Sequence, residues 1–314
     1  WIFCGHSVIT SHGFAGMGSE MIISASRRTD IPAWFSEWFC NRLCEGFCYV
    51  RNPYSQKITR VSLMREDTDV IVFWTKNAEP MMQRLSAVDA SGIPYYFQYT
   101  VTPYGSDVEP GLTKRDCIKN FLELSEMLGR DRVLWRYDPV LITEKYSVEF
   151  HADAFAKLCE LFSEATCRCT ISFVDAYRAS PFRTCTFDEM IRLAEIFSAT
   201  AKRFGLPLVS CAEEIDLDRF GISHASCVDK EICESLCGRP LPVKRDRNQR
   251  TACGCVESTD IGAYGTCRCG CRYCYACGRR TAAAHDPASP LISCWPKDNE
   301  PVFPRSSGQT TLFR

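Results

Sequence analysis

The chain alternates short apolar runs, rich in β-branched and aromatic residues, with longer stretches of helical period. The runs cover residues 21–26 (MIISAS), 47–51 (FCYVR), 70–74 (VIVFW), 95–101 (YYFQYTV), 133–137 (VLWRY), 170–174 (TISFV) and 207–211 (PLVSC), each of strand length. Helical patterns fall between them at 34–45, 78–91, 114–128, 148–164 and 187–204. Gly46, Gly92, Gly129 and Gly205 supply stops, and Thr186 with Glu189 reads as a capping box. Seven alternations with near-continuous apolar strands predict a parallel sheet covered by helices. The expected fold is therefore α/β, a (βα) TIM-type barrel, partial or complete.

In a barrel the residues that follow the strands gather at one mouth, where chemistry sits. Here they include Arg27, Arg28, Thr29 and Asp30, then Asn52, then Thr75, Lys76 and Asn77, then Thr102, Asp138, Asp175, Glu213 and Glu214. Arg27, Arg28, Asp30, Lys76, Asp138 and Glu213 of this set, with Arg136 from the run 133–137, are the catalytic candidates. With Arg51, the four basic residues could converge on an anion through guanidinium and ammonium contacts, or they could pair with Asp30, Asp138, Glu213 and Glu214 at the rim. The histidines, His6, His12, His151, His224 and His285, show no metal spacing among themselves, and His151 falls in a helix as a surface or packed residue.

The pattern also divides the chain. Residues 1–20 are aperiodic and are expected to be a leader ahead of Met21; 21–225 form the barrel; 226–294 form a cysteine-rich metal-cluster region packed on it; and 295–314 form a tail without core pattern. Composition changes the picture in one respect. With 37 Lys+Arg against 38 Asp+Glu, the net charge of −1 gives no global field for nucleic acid or an anionic membrane. No apolar run is long enough to span a bilayer, and residues 1–10 lack the marks of a signal peptide. Phosphate-loop, G-x-S-x-G and dinucleotide glycine motifs are missing. Cysteine is the outlier, at 21 of 314 residues. A chain this rich in hydrophobic residues needs no disulfide scaffold, so the thiols are expected to be reduced, in the cytoplasm, and open to metal.

Residues 262–277 read GAYGTCRCGCRYCYAC, in which Cys267, Cys271 and Cys274 satisfy C-x3-C-x2-C with Tyr273 before the third cysteine. Three thiolates can hold three irons of a [4Fe-4S] cube and leave the fourth without a protein ligand. Cys269, Cys271, Cys274 and Cys277 could instead bind zinc tetrahedrally. Residues 256–262 (VESTDIG) read as an eighth strand that delivers the loop to the mouth. Cys40, Cys44 and Cys48, and likewise Cys117, Cys159, Cys167, Cys169, Cys185, Cys233 and Cys237, read as packing residues.

The three-cysteine spacing with its aromatic residue resembles the signature of radical S-adenosylmethionine enzymes. More of the chain, through MIISASRRTDIPAW, VRNP, IVFWTKN, VLWRYDPVL, CAEEIDL, DRNQR and HDPASPLI, resembles an uncharacterised bacterial and archaeal family of unknown function, itself similar to radical S-adenosylmethionine proteins. The resemblance implies an open [4Fe-4S] cluster at Cys267, Cys271 and Cys274, reductive cleavage of S-adenosylmethionine to a 5′-deoxyadenosyl radical, hydrogen abstraction from a substrate not identified, and an external electron donor. It departs from most of that superfamily in carrying the motif at the C-terminal end instead of after the first strand. The family pattern also includes Cys211, Cys227, Cys253 and Cys255, which implies a second [4Fe-4S] cluster or a Cys4 zinc site. The non-catalytic alternative is a barrel stapled by zinc or iron-sulfur that binds a small molecule or a partner.

Overall fold

A computed structural model describes residues 21–175, 180–277 and 285–305. The expected leader, with His6 and His12, and residues 306–314 of the expected tail lie outside the described residues. The first strand, β1, is Ile22–Ala25, followed by α1 (Ile31–Trp34) and α2 (Ser36–Glu45). Next come β2 (Phe47–Arg51), β3 (Ile58–Ser62) and β4 (Val70–Thr75), then α3 (Glu79–Met82), α4 (Leu85–Ala90), β5 (Tyr95–Thr100) and α5 (Lys114–Leu128). The chain goes on through β6 (Val133–Val140), α6 (Val148–Phe162), β7 (Cys169–Phe173), α7 (Phe187–Arg203), β8 (Leu208–Ser210) and β9 (Ser223–His224). It ends with α8 (Lys230–Cys237), β10 (Thr259–Asp260) and β11 (Val302–Pro304).

Eight strands form one parallel sheet in the order β10-β1-β4-β5-β6-β7-β8-β9. Within it the chain order never reverses, and the last strand, β10, lies beside the first. A closed ring of eight needs eight neighbouring pairs; seven are hydrogen-bonded, and no ladder joins β9 to β10 among the described residues.

The strands alternate faces with the period of two that extended backbone imposes. Ile23, Ile71, Phe73, Phe97, Trp135 and Ile171 point into a core with Phe39, Phe121, Phe155 and Phe197 of the helices. Ile22, Val70, Val72, Tyr96 and Leu134 point the other way, against Cys211, Cys227, Val228, Cys233, Leu241, Cys253, Cys255 and Val256. Helices α2, α5, α6 and α7 thus cover one face, and the cysteine-rich stretch with α8 covers the other. This is what right-handed crossovers produce when successive strands advance in one direction.

Several sequence expectations need correction. Residues 47–51 are a strand, but not of the parallel sheet: β2 runs antiparallel to β3, and β11 adds to β3 in a separate sheet of order β11-β3-β2. Its burial alternates, as in a sheet with one exposed face, and Asn52 closes the β2–β3 turn by accepting from the Tyr54 and Ser55 N–H groups instead of standing at a mouth. The tail is not featureless, since Val302–Pro304 is that third strand. The helical pattern at 34–45 begins earlier, at Ile31, and is broken at Phe35, whose φ of −136° leaves the helical region. The pattern at 78–91 becomes α3 and α4, parted at Arg84. The helices expected at 114–128, 148–164 and 187–204 form at Lys114–Leu128, Val148–Phe162 and Phe187–Arg203, and Thr186 and Glu189 form the capping box.

Candidate functional site

The parallel strands bring their C-terminal ends to one edge, and β1 with β10 sets its geometry. Ile23 pairs with Thr259 and Ser24 with Asp260, so the chain leaving β10 runs beside the chain leaving β1. The cysteine loop follows β10 and therefore leaves the sheet next to the exit of the first strand.

Asp260 ties the two exits together. Its carboxylate accepts from Ser24 Oγ (2.9 Å), Ser26 Oγ (2.6 Å), the Arg27 N–H (2.7 Å), Arg28 Nε (3.0 Å) and the Gly262 N–H (3.0 Å). Arg28 also donates to the Asp260 carbonyl at 2.8 Å. Burial by itself pushes this carboxyl up, but the Arg28 charge and the donated hydrogen bonds outweigh it, and the group is held below the usual carboxylate range. The approach is close: a Cβ on Gly262 would stand 2.1 Å from Ser26 Oγ.

Asp30 sits one turn further on and accepts from the Ala33 N–H (3.0 Å), Thr75 Oγ1 (2.8 Å) and the Lys76 N–H (2.8 Å), joining β1 to β4. Its burial pushes it up to about 6 in spite of those donors. The cysteine loop packs on this residue. Cys269 Sγ lies 3.8 Å from Asp30 Oδ2 and accepts from Trp34 Nε1 at 3.3 Å, and the Cys267 sulfur takes the Asp30 backbone N–H.

From the other side the loop meets the β5–α5 connection. Gly111 N–H donates to the Cys269 carbonyl (3.1 Å) and the Arg272 N–H to the Val108 carbonyl (3.0 Å). Tyr273 OH donates to Glu109, a fully buried carboxylate that also accepts from Thr102 Oγ1 (2.8 Å) and pairs with Lys76 Nζ (2.9 Å) and with Lys114. Lys76 Nζ lies 5.6 Å over the Tyr273 ring. Lys76, a candidate from sequence, thus reaches the cysteine loop through Glu109 and Tyr273.

Cys267, Cys271 and Cys274 are buried or half-buried on this loop, within electrostatic reach of one another. Burial pushes Cys271 up to about 11, against the pull of Lys76, and the negative forms of Cys274 and Cys267 push in the same direction as burial. Cys267 is lowered because Cys269 donates to it, while Cys274 is raised first by its bond to Cys277 and then by burial. As placed, the sulfurs pair off, and among the described residues no three His, Cys, Asp or Glu side chains close around a point as a metal site. The donor chemistry nonetheless fits a cluster: three thiols on one short loop, shielded from water, with a lysine alongside. Binding would exchange the Cys267–Cys269 and Cys274–Cys277 contacts for bonds to iron.

The second sulfur set, Cys211, Cys227, Cys253 and Cys255, is also brought together, on the face of the sheet opposite the helices. Cys211 Sγ lies 3.0 Å from Cys227 Sγ, and Cys255 Sγ accepts from the Cys227 and Val228 N–H groups at 3.3 Å each. The contact with Cys227 holds Cys211 below the usual thiol range, and the neighbouring Cys227 and Cys253 lower Cys255.

The basic residues do not converge on a shared anion. Arg28 is committed to Asp260, Arg51 pairs with Glu300, and Lys76 pairs with Glu109. Arg136 pairs with Asp138 and donates to Cys227 Sγ. Arg27 donates to Ser258 Oγ at 3.1 Å and lies 5.0 Å over the Trp74 ring, whose distance to Arg136 is 5.4 Å. Burial lifts Asp138, yet Arg136 and Ser172 more than offset this and hold it low. Glu213 accepts the Phe173 N–H at 2.8 Å, and burial pushes it up to about 7. Glu214 is exposed. His151 is packed, bonded to Tyr137 OH and the Leu141 carbonyl. Cys40, Cys48, Cys117, Cys159, Cys169, Cys185 and Cys233 are buried as packing residues, whereas Cys44 is exposed.

Glu109, Asp260 and Trp74 were not singled out by sequence. Asp260 lies inside the expected eighth strand, and a carboxylate in a strand was its only signal. Glu109 lies in the aperiodic stretch TPYGSDVEPG, where nothing local marks it as buried. A surface depression lined by Asn77, Glu79, Met82, Asp116, Asn120 and Met127 carries none of the candidate catalytic or sulfur residues. In described regions no helix is long and apolar enough to cross a membrane.

No curated protein matches the chain. A family model described as a domain of unknown function, DUF1848, matches residues 22–276, which takes in the whole parallel sheet and the cysteine loop up to Ala276, and the chain belongs to that family.

Proposed function

We propose that the chain is a radical S-adenosylmethionine-type enzyme whose Cys267, Cys271 and Cys274 hold a [4Fe-4S] cluster with one iron free of protein ligand. When bound, such a cluster supplies an electron for reductive cleavage of S-adenosylmethionine and so makes hydrogen abstraction from a substrate available. The observation that carries this reading is the docking of the three-cysteine loop beside the exit of β1, at the C-terminal edge of the parallel sheet, where α/β folds place their chemistry.

The chain's own residues have definable tasks in it. Asp260 and Arg28 lock the β1 and β10 exits, so the loop has a rigid base. Glu109, Lys76 and Lys114 anchor Tyr273 and with it the stretch between the second and third motif cysteines. Asp30, which keeps its proton to about pH 6, and Glu213, which keeps its own to about pH 7, are buried carboxyls at the same edge able to donate or accept a hydrogen bond to a bound polar group. The sheet would serve as a partial barrel that keeps water from the reacting centre. The electron would come from an external donor, and the enzyme would work in the cytoplasm.

The pairing of Cys267 with Cys269 and of Cys274 with Cys277 favours a second reading, in which the loop is a non-catalytic staple. Anaerobic reconstitution separates the two. The enzyme reading expects formation of 5′-deoxyadenosine from S-adenosylmethionine on reduction, abolished by Cys271→Ala; a colourless protein that retains only zinc on this loop supports the staple.

A further inference from the structure

We infer that Cys211, Cys227, Cys253 and Cys255 hold a single thiophilic divalent ion of the zinc class on the face of the sheet opposite the helices, with Arg27 and Arg136 balancing its charge. The inference does not rest on the open-cluster reading, because the two sulfur sets share no residue. Its first support is convergence. Cys211 follows β8, Cys227 precedes α8, and Cys253 and Cys255 precede β10, yet all four are buried in one cluster with Val228 and Val256.

The spacing of the sulfurs chooses between one ion and a cube. Cys211 Sγ lies 3.0 Å from Cys227 Sγ, and Cys255 Sγ accepts the Cys227 backbone N–H at 3.3 Å. A tetrahedral zinc with bonds of about 2.3 Å sets its sulfurs roughly 3.8 Å apart, a small opening of the Cys211–Cys227 contact. A four-iron cube holds its cysteines on its outer corners, which would force the set well apart. Among the described residues no three His, Cys, Asp or Glu side chains close around a point, so the proposed ion would draw the four sulfurs from these positions into its tetrahedron.

Charge and local structure agree with this choice. A divalent ion with four thiolates carries a net double negative charge, costly to bury without cations. Arg136 donates to Cys227 Sγ, and Arg27 interacts electrostatically with Cys255 and Cys227; both guanidiniums lie over Trp74, at 5.4 and 5.0 Å. Cys255 Sγ further accepts two backbone N–H groups, the outer support that metal thiolates take. Between α8 and β10 the chain forms no helix or strand beyond isolated bridges, although it covers one face of the sheet. A segment so poor in regular structure gains most from a metal staple.

The test uses the full chain with Cys267, Cys271 and Cys274 all changed to Ala, so that the motif loop binds nothing. Elemental analysis of this protein, purified anaerobically with zinc in the medium, is expected to give about one zinc per chain, and zinc X-ray absorption to give four sulfur neighbours at about 2.3 Å. Adding Cys211→Ser and Cys255→Ser is expected to release the zinc. A folded triple variant without zinc, one retaining several irons with sulfide, nitrogen or oxygen ligands in the absorption spectrum, or zinc retained after the two serine changes would each overturn the inference. Should the serine variants not fold, the ligand set seen by absorption in the folded triple variant decides alone. Failure of the unaltered chain to take up iron would count against the open cluster and leave this result standing.

Discussion

The phenol of Tyr273 donates its hydrogen bond to the Glu109 carboxylate, which is at the same time paired with Lys76 and Lys114. One fully buried acid therefore joins the motif aromatic, the exit of β4 and the start of α5. Glu109→Ala strips the charge partner from two half-buried lysines, and a loss of about 3–5 kcal/mol is expected. Tyr273→Phe removes one hydrogen bond and is expected to cost about 1 kcal/mol. Urea unfolding measures both, and equal costs would show that the acid does not act as a hub.

Asp260 and Arg28 form a buried ion pair at 3.0 Å, but their duties are unequal. Asp260 also serves Ser24, Ser26, the Arg27 N–H and the Gly262 N–H. Asp260→Ala is accordingly expected to be more destabilising than Arg28→Met, by about 2 kcal/mol or more, since each orphaned buried donor costs about 1–3 kcal/mol. Thermal unfolding of the two variants checks this, and the reverse order would mean that the pair, not the hydrogen-bond knot, matters.

The alternation of the apolar runs was enough to expect the parallel sheet and its helices, because buried parallel strands read as near-continuous apolar sequence and Thr186, Glu189 and the terminal glycines mark helix ends locally. Residues 47–51 misled because the hairpin β2–β3 also alternates, and sequence does not say which sheet a strand joins. The charges at the strand ends were visible as a set. Their partners were not, since Glu109 and Asp260 act through contacts far apart in sequence. The two groups of cysteines could be sorted by spacing and resemblance, and the structure brings each group together, whereas the pairing of Cys267 with Cys269 and of Cys274 with Cys277 depends on side-chain direction that spacing does not encode.

Gly111 gives the loop its close approach. A Cβ there would lie 2.6 Å from the Cys269 carbonyl oxygen and 2.9 Å from that of Arg268, both backbone atoms that cannot turn aside. Gly111→Ala is therefore expected to displace the cysteine loop at a cost of about 1–3 kcal/mol and to speed alkylation of Cys271 by a thiol reagent. Unchanged alkylation would show that the loop is not held by this contact.

His151 supplies the pH dependence. Its Nε2–H donates to the Leu141 carbonyl at 2.9 Å and its Nδ1 accepts from Tyr137 OH at 2.7 Å, which fixes the neutral tautomer. Burial lowers it to about 4 from an ordinary value of 6.5, with the Leu141 carbonyl opposing. The unfolded chain then takes up a proton that the folded chain refuses, so stability is lost as pH falls from about 6.5 to about 4, by about 3 kcal/mol for this group. His151→Gln is expected to lack that part of the loss. Parallel pH profiles for the two proteins, followed by urea unfolding, would contradict the assignment.

The central claim is that three sulfurs of one loop leave an iron corner open beside the β1 exit. Electron paramagnetic resonance of the anaerobically reconstituted, reduced protein tests it directly. The account predicts a reduced-cluster signal whose g-values shift on addition of S-adenosylmethionine and which is missing when Cys267, Cys271 and Cys274 are changed to Ala. A cluster signal indifferent to S-adenosylmethionine, or one that survives the triple change unaltered, would contradict it.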